Sequence, residues 1–156
     1  EASILFSSLG VSLQQTDKRL SVQQDCHILI PIRVDIGWQV DRFQQLITYG
    51  YSKTLQSEAH LRMHSYLFER PMLPITIALT DSSPSDAAFE QYHSVTPWQN
   101  EAFPVRCSPF AQQGFYRGDL FLLVQRWHHD ARIVMGVDGL DLRWNGFLKV
   151  RKCGPS

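Results

Sequence analysis

The last third of the chain alternates apolar and polar residues over four short runs that turn-forming residues separate. Alternation with a period of two is typical of strands that bury one face. In chain order the runs are DLFLLVQRW, RIVMGV, LDL and FLKV. They predict four strands, joined by turns at 128–131, at Asp138-Gly139 and at Asn145-Gly146.

The length of each predicted turn is the one that places the apolar residues of the two strands it joins on the same face. A four-residue loop at 128–131, a two-residue turn at Asp138-Gly139 and a three-residue loop 144–146 all satisfy this condition. These loops set Val124 against Met135, Val137 against Leu140, and Leu142 against Leu148. Because the three turns agree, the sequence predicts a C-terminal four-stranded antiparallel β-meander.

The opposite face of this predicted meander carries residue types that fit poorly in a sealed core: Trp127, Arg132, Arg143 and Lys149. Tryptophan and arginine are enriched among interface hot spots. The sequence therefore predicts that these four residues form a binding surface, with a protein as the most favoured partner. Aromatic and basic groups on an open sheet are also typical of single-stranded nucleic-acid binding, which is an alternative use of the same face.

Two consecutive helices are predicted in the middle of the chain. Between Asp35, a candidate N-cap, and Gly50, a candidate stop, four apolar residues recur at helical spacing: Val40, Phe43, Leu46 and Ile47. The second helix is predicted from about 53 to 69 and ends before Pro71, since the residue before proline avoids helical angles. A further short helix is predicted after Ser85.

Short strands are predicted on either side of these helices. They cover SILF, VSLQQ, RLSVQ and HILIPIRV in the first third, and LPITIALTD after the second helix. Pro31 removes a ladder donor and places its strand at a sheet edge or a bulge. Strands followed by helices and again by strands predict an α+β fold with a mostly antiparallel sheet, as a single domain over residues 1–156.

His60 and His64 stand four residues apart in the predicted second helix. That spacing stacks two imidazoles one turn apart, which is the geometry of a helical metal pair such as H-E-x-x-H. Leu61 occupies the position of the general base, so a protease of that class is excluded. The favoured interpretation is a packed, hydrogen-bonded pair without a cofactor. A zinc site with a third ligand from elsewhere is the alternative.

Composition bounds the remaining function classes. Lysine plus arginine and aspartate plus glutamate number 15 each, so no overall field favours nucleic acid or an anionic membrane. No apolar run is long enough to span a bilayer, and we expect a soluble chain. A chain that begins at Glu1 is compatible with a mature form after signal cleavage or with a fragment of a longer protein. The sequence assigns no compartment.

Three cysteines, Cys26, Cys107 and Cys153, lack the spacing of a zinc ribbon. We expect three reduced and mostly buried thiols, and one disulfide plus a free thiol is the alternative.

No strong catalytic motif occurs in the sequence. The leading prediction is therefore a non-enzymatic binding or assembly module, such as a domain or accessory subunit of a larger complex. A small enzyme that uses His60 and His64, with or without a metal ion, is the first alternative. A single-stranded nucleic-acid binder is the second.

Overall fold

The structure, a computed structural model, describes residues 2–5, 9–40, 42–98, 104–105, 107–143 and 150–152. The described residues form strands and connections and contain no helix. In chain order the strands are β1 Ala2–Leu5, β2 Gly10–Leu13, β3 Ser21–Val34, β4 Trp38–Val40, β5 Arg42–Lys53, β6 Ser57–Leu67, β7 Arg70–Pro71, β8 Ile75–Leu79, β9 Asp86–Pro97, β10 Gln112–Arg126, β11 Ile133–Arg143 and β12 Val150–Lys152. The α+β prediction is therefore wrong, and the fold is all-β.

Two antiparallel sheets are assembled from these strands. In sheet 1 the order is β1-β11-β5-β9, with β2 beside β1 on the same edge of β11. In sheet 2 the order is β3-β10-β6, and both β7 and β8 pair with the outer edge of β6. A small third sheet pairs β4 with β12.

Eight of these strands define the topology. Sheet 1 contains β2-β11-β5-β9 and sheet 2 contains β3-β10-β6-β8, so consecutive strands of the eight repeatedly change sheet. Two four-stranded sheets connected in this order form a double Greek key, which is the jelly-roll architecture. Four of the connections between sheets lie at the same end of the sandwich, and we call residues 14–20, 54–56, 80–85 and 127–132 the crossover segments.

The helix predicted from Asp35 to Gly50 is the strand β5, preceded by the turn 35–37 and by β4. On β5, Phe43, Gln45 and Ile47 alternate into the space between the sheets and are buried. Leu46 is also buried although it points to the other face. The polar Gln45 on the inner face and the apolar Leu46 on the outer face interrupt the alternation of β5, and this explains why the sequence resembled a helix.

The second predicted helix is the strand β6. Its inner face is a regular alternation of small and apolar residues, all buried: Ser57, Ala59, Leu61, Met63, Ser65 and Leu67. Alanine, leucine, methionine, glutamate and arginine favour helices, but pairing with β10 over eleven positions overrides that preference. The short helix predicted after Ser85 is likewise a strand, β9.

The predicted C-terminal meander is wrong in its pairing. β10 covers most of the predicted strand DLFLLVQRW, and β11 is one strand where two, RIVMGV and LDL, were predicted. β10 lies in sheet 2 and β11 lies in sheet 1. Asp138-Gly139 is not a turn, because β11 continues through it with a register shift between Val137 and Gly139. The Asn145-Gly146 turn lies outside the described residues. The prediction of a single domain stays a prediction.

Two other predictions are confirmed. Pro31 lies on an edge strand, since β3 pairs with β10 alone among the described strands. LPITIALTD contains the strand β8, whose Ile75, Ile77 and Leu79 are buried.

The cysteines divide into two kinds, contrary to the expectation of three reduced thiols. Cys107 is disulfide-bonded, whereas Cys26 is a free thiol on β3. Cys153 lies outside the described residues.

No helix in the part of the chain that the structure describes is long and apolar enough to cross a membrane.

A polar bridge joins the two sheets inside the core. The Tyr116 hydroxyl on β10 donates to Oε1 of Gln45 on β5 over 2.6 Å, and the Ser65 hydroxyl on β6 donates to the same oxygen over 2.8 Å. The Tyr116 ring also stacks on Phe43, with 5.8 Å between ring centroids. Because Gln45 Nε2 is buried and bonds to no described residue, the position of this amide depends on the two bonds to its oxygen.

Burial gives the Tyr116 phenol a measurable signature. It raises the pKa of Tyr116 above its ordinary value, because ionisation would place an anion between the sheets. Below about pH 10 the phenol is neutral in both states and its contribution to stability is fully present. At higher pH the unfolded tyrosine ionises first, so we expect the free energy of unfolding to fall as the pH rises from about 10.

Urea denaturation at pH 8 to 11.5 measures this loss. Tyr116→Phe should flatten the alkaline decline, whereas the matched variant Tyr92→Phe, which removes an exposed hydroxyl on β9, should leave it unchanged. An equal alkaline decline in wild type and Tyr116→Phe would contradict the assignment.

Candidate functional site

The crossover end of the sandwich is bound together by one buried arginine. Arg126, the last residue of β10, is 3 % exposed. Its guanidinium donates to five backbone carbonyls, those of Gln14, Asp17, Arg19, His129 and Ala131. Three of these carbonyls belong to the first crossover segment and two belong to the last. A single side chain therefore holds two segments that are more than a hundred residues apart in the chain.

The second crossover segment is hydrogen-bonded to the last one, and the third is hydrogen-bonded to the second. Thr54 N donates to the Arg132 carbonyl over 2.9 Å, and Arg132 N donates to Thr54 Oγ1 over 2.9 Å. Trp127 N donates to the Gln56 carbonyl over 3.1 Å, and Gln56 N donates to a carboxylate oxygen of Asp81 over 2.9 Å. All four segments are thus linked into one hydrogen-bonded platform.

Charges support the same platform. Asp17 accepts from Gln14 N over 2.9 Å and from Arg19 over 3.0 Å, and these hydrogen bonds lower the pKa of the Asp17 carboxyl. The buried ammonium of Lys53 lies 3.6 Å from a carboxylate oxygen of Asp81 and donates to a backbone carbonyl. These contacts join residues within the first segment and connect the end of β5 to the third segment.

Large apolar side chains project from this platform into solvent. Leu20 is 49 % exposed, Leu55 is 68 % exposed and Trp127 is 55 % exposed. They come from three different crossover segments, and backbone hydrogen bonds connect their neighbourhoods: Arg126 N donates to the Leu20 carbonyl, and Trp127 N donates to the Gln56 carbonyl. Together with the exposed Arg132, they form what we call the loop-end surface: Leu20, Leu55, Trp127 and Arg132.

The four residues of the predicted binding surface are not brought together as one set. Trp127 and Arg132 both lie in the last crossover segment. Arg143 ends β11 at the opposite end, about 36 Å from Arg132 at the rise of a strand, and Lys149 lies outside the described residues. Leu20 and Leu55 were missed because the sequence analysis placed Leu20 in the predicted strand RLSVQ and Leu55 in the predicted second helix, whereas both lie in connections.

His60 and His64 lie on the outer face of β6. Four residues of strand separate their Cα atoms by about 13 Å, and side chains that stand perpendicular to a sheet do not converge over that span. His60 Nε2 lies 3.6 Å from Glu58 Oε1, while His64 is opposite Asp119, which bonds His27 Nδ1 over 2.9 Å. No group of three or more potential ligands occurs among the described residues. Metal binding at this pair stays a prediction.

Comparisons with known proteins identify no family. No protein-family model and no curated protein matches the sequence. Among solved structures, infectious bursal disease virus Gx strain aligns with a TM-score of 0.29 and 8 % identity, over 84 % of this chain and 30 % of the viral chain. The Gt strain gives 0.23 and 10 %, over 85 % and 41 % of the two chains. The VP2 subviral particle of this virus gives 0.22 and 10 %, over 90 % and 44 %. TM-scores this low do not establish a shared fold.

Loss of the Arg126 guanidinium should be strongly destabilising. Arg126→Met keeps most of the side-chain volume but removes the guanidinium donor from five carbonyls, of which the Gln14 carbonyl keeps its bond from Asp17 N. We therefore expect the free energy of unfolding to fall by about 3–5 kcal/mol. Urea denaturation measures this change. The matched control is Arg62→Met on the exposed face of β6, which should change stability by less than about 0.5 kcal/mol. A similarly small effect of Arg126→Met would show that the crossover segments do not depend on it.

The histidine geometry makes a second prediction. Because the two imidazoles do not converge, we expect purified protein to hold less than one equivalent of zinc and a chelator to leave the melting temperature unchanged. Elemental analysis and thermal melts with and without chelator test this. Stoichiometric zinc that His60→Ala and His64→Ala each remove would contradict it.

Proposed function

We propose that this chain is a non-enzymatic protein-binding or assembly module, and that it contacts its partner through the loop-end surface. The observation that carries the proposal is the exposure of Leu20, Leu55 and Trp127 on three interlinked segments. Large apolar groups gathered at one place on a surface are typical of interaction sites. Loops held by a rigid scaffold commonly carry such sites.

The platform beneath these residues supports a protein partner in particular. Because the segments are already fixed by Arg126 and by their mutual hydrogen bonds, little conformational entropy is lost when they bind. Trp127 offers a large contact area and a donor nitrogen, and the exposed Arg132 in the same crossover segment offers a charged rim group. This combination resembles the anchors and rims of protein interfaces.

The two alternative functions gain no specific support. The enzyme alternative depended on a helical histidine pair, and these histidines lie on a strand. The nucleic-acid alternative depended on aromatic and basic residues sharing one face of a meander, and β10 and β11 lie in different sheets, with Arg143 far from Trp127 and Arg132.

A site-specific photo-crosslinking experiment tests the proposal. A photoreactive phenylalanine analogue replaces Trp127 in one variant and Trp38 in the other. Trp38 is a matched control because it is 42 % exposed and follows the opposite end of β3. In extract of the native source, the probe at 127 should capture a defined protein that the probe at 38 does not. Capture of the same proteins at both positions would contradict the loop-end surface.

The affinity of the variants for the captured protein then measures how much Trp127 contributes to binding. Trp127→Ala should raise the dissociation constant roughly 5- to 150-fold, which is a loss of binding free energy of about 1–3 kcal/mol, as expected for a hot spot. Trp38→Ala should change it less than twofold. Since Trp127 is half exposed, its truncation should leave the melting temperature nearly unchanged. A Trp127→Ala variant that binds as wild type would overturn the proposal.

A further inference from the structure

Strand β3 has one edge with which no strand of the described residues pairs. It is 14 residues long and pairs with β10 over its whole length, from Ser21 to Val34. On its other side no described strand is hydrogen-bonded to it. Near its start, Gly10 of β2 donates to the Gln24 side chain, and beyond that point the edge is open among the described residues. An open edge presents a row of backbone donors and acceptors to any strand that approaches.

The direction of those backbone groups can be derived from one hydrogen bond. Phe68 N donates to the Phe115 carbonyl, so the backbone polar groups of Phe115 point towards the β6 side of β10. Phe115 is paired with Pro31, so this pair is not hydrogen-bonded and the polar groups of Pro31 point to the free edge. By alternation, the other odd-numbered residues of β3 point the same way.

The side chains of these odd-numbered residues are exposed on the outer face: Ser21, Gln23, Asp25, His27, Leu29, Pro31 and Arg33. Their charges are self-complementary about Leu29. Asp25 lies four residues before Leu29 and Arg33 lies four residues after it. An antiparallel copy of β3 with its two-fold axis at Leu29 therefore sets Asp25 against Arg33 of the second copy, and does so twice.

The remaining pairs of this register are compatible with it. Leu29, 62 % exposed, meets Leu29 of the second copy on the outer face. On the inner face the register pairs apolar residues that are buried or half-buried at the edge of the core, Cys26 with Ile32 and Ile28 with Ile30. Each of these contacts removes apolar surface from water.

Neighbouring registers that still pair odd-numbered residues with each other do not set Asp25 against Arg33. Moving the axis by one residue, to Ile30, sets Asp25 against Asp35, and moving it to Ile28 sets Asp25 against Pro31. With the axis at Leu29, Pro31 lies opposite His27, and its missing N–H removes one hydrogen bond from each of two equivalent pairs. The other odd-numbered pairs keep both of their bonds.

From these observations we propose that β3 is a homodimer edge, at which a second copy of this chain pairs antiparallel about Leu29 and joins the two copies of sheet 2. The Arg33 guanidinium is 3.3 Å from Asp35 within its own chain, but both side chains are mostly exposed and the pair is weak. Arg33 can therefore exchange this contact for Asp25 of the second copy. The β3 edge is separate from the loop-end surface, and its partner is a second copy of this chain.

Charge exchange tests both the dimer and its register. Sedimentation velocity of wild type between about 1 and 300 µM should show a concentration-dependent dimer. Asp25→Arg and Arg33→Asp should each weaken the dimer at least tenfold, because each places two like-charged pairs across the axis. A 1:1 mixture of these two variants should recover a dimer, since Asp25→Arg presents two cations and Arg33→Asp presents two anions at the paired positions.

Two controls separate the possible causes of a change. Asp138→Arg makes the same change in charge on the exposed part of β11, and it should leave the dimer unchanged. Circular dichroism and melting temperatures of the variants should match wild type, because the changed side chains are exposed. Trp127→Ala should also leave the dimer intact, which distinguishes this edge from the loop-end surface.

Three outcomes would overturn the proposal. A wild type that is monomeric at every concentration excludes the dimer. Single variants that dimerise as wild type exclude this edge. Two monomeric variants that fail to associate on mixing exclude the register about Leu29. None of these outcomes affects the proposal for Trp127, whose test is heterotypic capture.

Discussion

The hydrogen bonds from Arg126 supply donors to backbone carbonyls that the strand crossovers of a jelly roll leave without partners in either sheet. Consecutive strands repeatedly cross between sheets, so loop carbonyls gather at the end of the sandwich, where they have no ladder partners. A guanidinium has five N–H donors and no acceptor, and therefore satisfies a cluster of carbonyls without introducing a new requirement. Because Arg126 ends β10, the central strand of sheet 2, the same residue ties the crossover segments to the core. The exposed Trp127 follows immediately, so its position is set by the same bonds.

The sequence predicted individual strands better than it predicted their partners. Strands were predicted in the regions of β3, β8, β10 and β11, although β3 and β11 were each predicted as two shorter strands. The pairing failed because alternation states which face is buried but does not state which sheet buries it. Val124 and Met135 do both point into the core, as the predicted register required, but they approach it from opposite sheets. The Asp138-Gly139 signal is local, and β11 overrides it in order to pair β2 before the bulge and β1 after it.

The candidate site was predicted in part, for a related reason. Trp127 and Arg132 were predicted as the strand residues on either side of the 128–131 turn, and in the structure both lie in the connection itself. Arg143 was grouped with them only because a hairpin at 138–139 would have folded it back, and without that hairpin β11 carries it to the far end. Arg126 was not recognised at all. An arginine at the end of an alternating run looks like a solvated terminus, and only the tertiary structure shows the five carbonyls around it.

The order of the strands along the chain has a consequence for how this protein is made. The central strands β10 and β11 pair with β3, β6, β1, β2 and β5, yet they come after residue 111. Until the ribosome has released them, the earlier strands can form only the pairings of β5 with β9 and of β6 with β7 and β8. The two sheets can therefore be completed only after β10 and β11 have been synthesised, and folding is dominated by contacts that are distant in sequence, which makes it slow. During that interval the nascent chain exposes unpaired strands, which are the features that make partly folded chains prone to aggregation.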